Sequence, residues 1–143
     1  SQIKYELVVF SAFQDANNER LQIYHTNVMM CVANSYAIVC LDSIDSSAER
    51  LSVVNSLNKT NKEIIEISES QANQFAGNML QVAGDKDYLV MSKTAHDSLS
   101  KFQIKQITSF NEIIYADLDI IEKCGGGSAR CMMAEIFLPL KDD

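Results

Sequence analysis

Two segments of this chain start alike, and that likeness restricts the folds open to it more than any other feature. Asn27-Val28-Met29-Met30-Cys31-Val32 lies over Asn78-Met79-Leu80-Gln81-Val82 at an offset of 51 (27 to 78), and Glu63-Ile64-Ile65 lies over Glu112-Ile113-Ile114 at an offset of 49 (63 to 112). A repeat of about fifty residues signals stacked supersecondary units, because each unit can bury its apolar face only against its neighbours. The chain has 143 residues, 47% of them apolar and 22% charged, which is enough for one such array with a real core.

Periodicity gives the content of each unit. Val28 to Ala33 and Tyr36 to Leu41 are apolar runs joined by Asn34-Ser35, a short polar connection that suits a hairpin. Ser46-Ser47-Ala48-Glu49 opens a helix with a hydroxyl cap and an acid in its first turn, Leu51, Val54 and Leu57 recur at helical spacing, and the helix ends near Asn58 to Asn61. Glu63 to Ile67 then reads as a strand, so the order is β, β, α, β. The order recurs with strands at Met79 to Ala83 and Tyr88 to Met91, a largely helical stretch from Thr94 to Ile107, and a strand at Glu112 to Tyr115. A third copy begins at Ala129 to Phe137, where Cys131 to Ile136 reads as a first strand. Ahead of all three, Tyr5 to Phe13 reads as one more strand.

Units of this kind can stand around an axis with the strands inside and the helices outside. The starts of the first strands, His25 to Asn27, Asn78, and Arg130 to Cys131, would then converge. An ordinary α+β domain with similar strand compositions is the alternative.

Charge and cysteine content narrow the function classes. Twelve basic residues against nineteen acidic ones leave a net charge of −7, which a phosphate backbone would repel, so nucleic acid is not expected as a partner. Leu21 to Leu41 is interrupted by His25, Asn27, Asn34 and Ser35 and cannot serve as a bilayer span, so no membrane association is expected. The opening residues show no signal-peptide pattern, which suits an intracellular chain or one whose true start lies upstream. Cys31, Cys40, Cys124 and Cys131 have neither zinc-ribbon nor C-x-x-C spacing, and reduced thiols in a cytoplasm are expected. No metal or other cofactor is implied, because no cluster has ligand spacing.

Three of the five glycines stand together in Cys124-Gly125-Gly126-Gly127-Ser128-Ala129-Arg130-Cys131. Such a loop needs unusual backbone angles, close approach to something, or both. It lacks the lysine of a phosphate-binding loop. Cys131 beside Arg130 has the setting of an activated thiol, whereas Cys31 and Cys40, inside apolar strands, read as core. Of the two histidines, His96 falls in a solvated first helical turn, and His25 heads a strand. If the repeats share a centre, His25 and Cys131 can act as general acid/base and nucleophile.

The run Gly125 to Pro139 resembles the C-terminal nucleophile motif of the guanidine-modifying (pentein) superfamily, which includes arginine and agmatine deiminases, dimethylarginine hydrolases and amidinotransferases. Ile23 to Met30 is similar to that superfamily's catalytic histidine segment. With Phe75-Ala76-Gly77-Asn78-Met79-Leu80 between them, the chain most resembles the amidinotransferase-like branch associated with citrulline use. The resemblance implies an α/β fold, a five-bladed β/α propeller of which about two and a half ββαβ blades are present, with repeats near 25–74 and 76–124 and a third from about 127. Residues 1–143 would be the C-terminal part of one catalytic domain.

By position, the resemblance implies Cys131 as nucleophile, His25 as proton donor and then base, and Asn27, Gly125 and Arg130 at the substrate. Asn27 stands where many relatives carry Asp. The implied substrate is a guanidino or ureido compound of arginine, methylarginine or citrulline type. The implied reaction is hydrolysis of a C–N bond, with amidino transfer or a non-catalytic fragment as alternatives. Relatives hold the guanidinium with acids in blades that precede the histidine. Here that region offers only Glu6, Asp15 and Glu19, so missing N-terminal blades, and self-association of the exposed edge, are expected as partners.

Overall fold

A computed structural model describes residues 6–16 and 18–135. It is a mixed α/β arrangement of three small sheets, and the sheets do not close into a barrel among the described residues. The first is a hairpin of β1 (Phe13–Ala16) and β2 (Glu19–Gln22), paired antiparallel. The second has β3 (Met30–Val32), β4 (Tyr36–Val39) and β5 (Glu63–Glu66), with helix α1 (Ser47–Lys59) between β4 and β5. After the short helix α2 (Glu69–Ala72), the third has β6 (Leu80–Ala83), β7 (Asp87–Ser92) and β8 (Glu112–Ala116), with α3 (Lys93–Ser98) and α4 (Lys101–Thr108) before β8.

The two three-stranded sheets have one topology. β4 pairs antiparallel with β3 and parallel with β5, and β7 pairs antiparallel with β6 and parallel with β8. A parallel neighbour needs a crossover, and the helices supply it. All four residues of β4 are buried, as a central strand covered on both faces requires. Around it the core gathers Met29, Ile38, Ile44, Val53, Ile65 and Ile67 from the β3–β5 unit and Met79, Leu89, Met91 and Ile107 from the β6–β8 unit.

Polar contacts register the sheets against each other. Buried Tyr36 donates from its hydroxyl to Asn111 Oδ1 at 2.8 Å and stacks on Phe110. Gln103 donates to the Glu66 carbonyl at 2.7 Å, so α4 covers the outer edge of β5.

Two expectations are corrected and one, the largely helical stretch, is refined. Residues 6–12 form no strand; the first strand begins at Phe13, and the region before His25 holds a hairpin rather than one strand and a connection. The helical stretch at 94–107 is two helices, broken where Leu99 takes extended angles and Ser100 caps α4 in a capping box with Gln103. Cys131 is not on a strand. Ala129–Met132 is a 3-10 turn, followed by residues 133–135 outside any strand, while Ile136 and Phe137 lie outside the described residues. A similar 3-10 turn, Thr26–Val28, precedes β3.

Among the described residues no helix is long and apolar enough to cross a membrane.

Candidate functional site

The approach to His25 is built by the hairpin. All four residues of β2 are exposed, so burial cannot hold it. Arg20 does so instead: its guanidinium reaches Asp45 Oδ1 at 2.6 Å, Glu69 Oε1 at 2.6 Å, Asp15 Oδ1 at 3.2 Å and the Asp42 carbonyl at 3.1 Å. These partners hold the guanidinium charge still more firmly than usual, and Arg20 in turn keeps the Asp45 carboxyl below the ordinary range. The Ile23 amide donates to the Ala12 carbonyl at 2.8 Å, and the chain then turns through His25 into the Thr26–Val28 turn. The imidazole is exposed, with the edge of Tyr24 against it at 4.8 Å between centroids.

The approach to Cys131 comes from the other end. Helix α5 (Asp119–Gly125) is closed by Gly126, whose φ of 68 is left-handed and whose amide donates to the Glu122 carbonyl. Buried Glu122 then clasps the loop: Oε1 accepts from the Ser128 hydroxyl at 2.6 Å and Oε2 from the Thr94 hydroxyl at 2.7 Å. This ties the glycine run to α3. Gly127 packs tightly on the nucleophile candidate: a Cβ there would stand 3.1 Å from both Cβ and Sγ of Cys131, and the cysteine would have to give by a few tenths of an ångström.

The two approaches meet. His25, Asn27, Gly125 and Cys131 line one cavity of about 540 Å³, together with Gly126 and Gly127. Ile23, Val28, Ala72 and Phe75 make its apolar wall. Arg130, expected at the substrate, is not among the lining residues. Its guanidinium donates to the Met133 carbonyl at 3.0 Å and reaches Glu135 at 3.5 Å. Neither Asp nor Glu lines the cavity among the described residues. Asp15 is engaged by Arg20, and Glu6 pairs with Lys59 at 2.6 Å.

Asn78 lies between the two approaches. It is 3% exposed, donates from Nδ2 to the Asn27 carbonyl at 2.9 Å and to Cys131 Sγ at 3.3 Å, and accepts from the Arg130 amide at Oδ1 over 3.1 Å. The sequence places it at a strand start and within the segment Phe75 to Leu80 that carries the family resemblance, with no role of its own. Its position opposite Asn27 in the repeat was the available signal.

The other thiols differ from Cys131. Cys31 is buried, and desolvation pushes its thiol up to about 12, which keeps it protonated and inert near neutrality. Cys40 is wholly buried; Cys124 and Cys131 are exposed. His96 sits in α3 with its ring stacked on Tyr115 at 4.0 Å, away from the cavity lining. No group of three potential metal ligands occurs among the described residues.

The family model for N,N dimethylarginine dimethylhydrolase, eukaryotic, matches residues 1–138. No curated protein and no solved structure gives a match.

Proposed function

The chain belongs to the eukaryotic N,N dimethylarginine dimethylhydrolase family, and on that premise we propose a cysteine-dependent hydrolase acting on the C–N bond of a methylated guanidino compound or its ureido relative. The observation that supports this best is the cavity shared by His25 and Cys131, one from each end of the chain.

In this reading the Cys131 thiolate attacks the central guanidinium carbon and forms a tetrahedral adduct. His25 gives a proton to the substituted nitrogen, the C–N bond breaks, and the amine leaves. The S-linked thiouronium that remains is attacked by water, from which His25 takes a proton. The C–S bond then breaks, releasing a ureido product and restoring the thiolate.

Asn27 and Gly125, both on the cavity lining, contact the substrate. A cationic guanidinium needs negative charge at its nitrogens, and apart from the Cys131 thiolate the lining supplies no carboxylate among the described residues. We therefore include in the proposal that further blades of a β/α propeller, N-terminal to this part, bring the carboxylates, and that the present chain turns over little alone. A small cationic or neutral metabolite in a reducing cytoplasm is the setting that suits an activated thiol.

The test is release of dimethylamine from N,N-dimethylarginine by the longer polypeptide, with the ureido product measured alongside. Cys131→Ala should abolish release, and His25→Ala should lower kcat by about 10²–10⁴-fold. Turnover that survives Cys131→Ala refutes the proposal.

A further inference from the structure

We infer that Asn78 is the residue that sets the ionisation and aim of the Cys131 thiol, an inference that rests on the proposed role of Cys131. The carboxamide has no freedom to be otherwise oriented. Oδ1 faces the Arg130 amide, a donor, and Nδ2 faces the Asn27 carbonyl, an acceptor. A flip would set donor against donor and oxygen against oxygen. Nδ2 therefore points one N–H at Asn27 and the other at Cys131 Sγ, 3.3 Å away.

A thiolate accepts hydrogen bonds better than a thiol, so this donor favours the charged form that attacks carbon. It acts from a buried position, and its backbone is fixed. Phe75 ahead of it holds a left-handed φ of 64, and the Asn78 amide donates to the Phe75 carbonyl at 2.9 Å. Gly77 lies so close to Val28 and Met29 that no Cβ fits. Through its three bonds Asn78 also ties the turn carrying Cys131 to the segment carrying His25. Motion of the turn carrying Cys131 relative to the Thr26–Val28 turn is thereby limited.

The experiment is the pH dependence of Cys131 alkylation by iodoacetamide, followed by peptide mass spectrometry, in the wild type, Asn78→Ala and Asn78→Asp. Loss of a hydrogen bond to a charged acceptor should raise the apparent thiol pKa by about one unit or more and slow alkylation near neutrality about tenfold. Asn78→Asp should raise it further, because a carboxylate replaces the donor. Cys124, which Asn78 does not touch, should keep its profile in all three. Unchanged Cys131 profiles in folded variants overturn the inference.

Should both variants fail to fold, the ultraviolet thiolate titration of the wild type, with Cys131→Ala as the difference reference, still decides. Ionisation of Cys131 at or above the free-thiol value of about 8.5 overturns the inference. Ionisation below that value supports it. A Cys131→Ala enzyme that keeps its turnover removes the catalytic reading instead, whatever the alkylation profiles show.

Discussion

Gly77→Ala is the substitution for which the structure sets the cost most directly. An added Cβ would stand 2.5 Å from the Val28 carbonyl oxygen, 2.7 Å from the Met29 carbonyl carbon and 2.9 Å from the Met29 Cα. Ordinary contact starts near 3.4 Å, so the two backbones must separate by about 0.9 Å. No rotamer can relieve this, since all three atoms are main chain. Met29 is wholly buried, and its carbonyl already accepts the Cys40 amide at 2.9 Å. Overpacking of this kind costs about 1–3 kcal/mol. For a domain of this size that lowers Tm by roughly 3–10 °C. Asn78 is the next residue, and a shift of this size would also carry Nδ2 out of reach of Sγ. The assay is urea unfolding followed by circular dichroism, with Gly125→Ala as control. At Gly125 a Cβ meets nothing within 4 Å, and the change should stay within about 0.5 kcal/mol. A Gly77→Ala protein with the midpoint and slope of the control would refute the close approach of these segments.

Two further outcomes are expected. Gly127→Ala sets a Cβ 3.1 Å from both Sγ and Cβ of Cys131; rotation of the thiol off Asn78 relieves the first contact, and the second moves Cys131 itself by a few tenths of an ångström, so alkylation of Cys131 should slow roughly two- to tenfold while Cys124 keeps its rate, and an unchanged ratio counts against the geometry. Stability should fall at alkaline pH. The folded Cys31 thiol holds its proton up to about 12 against 9.0 in an open chain, so the folded state binds that proton more tightly. Its contribution is intact below about pH 9 and is lost progressively from there towards pH 12, amounting to roughly 4 kcal/mol at the limit. Burial pushes the Tyr36 hydroxyl in the same direction. A urea midpoint that stays level to pH 11 would contradict this burial.

The order of strands and helices was legible because it rests on short-range periodicity. β4 and β5 announce themselves as apolar runs, and Ser46 caps α1 where a hydroxyl before the helix said it would. β2 was not legible: with all four residues exposed it shows no alternation, and backbone pairing with β1 and the contacts of Arg20 hold it instead of burial. The apolar run after Cys131 reads as a strand by composition. Contacts from Asn78 to the Arg130 amide help shape a 3-10 turn there instead, and no local pattern carries that. His25 and Cys131 were named from side-chain chemistry, since few residue types can serve as nucleophile and base. Asn78 was not, because its importance lies in bonds to partners 51 to 53 residues away. Arg130 drew notice as a cation beside a thiol, yet its guanidinium is engaged by Met133 and Glu135.

The manner in which β2 is fastened sets which part of the molecule loosens first. Ion pairs open to solvent weaken as electrolyte accumulates, whereas apolar packing around β4 is strengthened or unaffected by the same ions. Brine would thus slacken the stretch leading to the imidazole while the sulfur's surroundings, clasped by the buried Glu122, stay put, giving a partly opened state in which only one of the two reacting groups has lost its place.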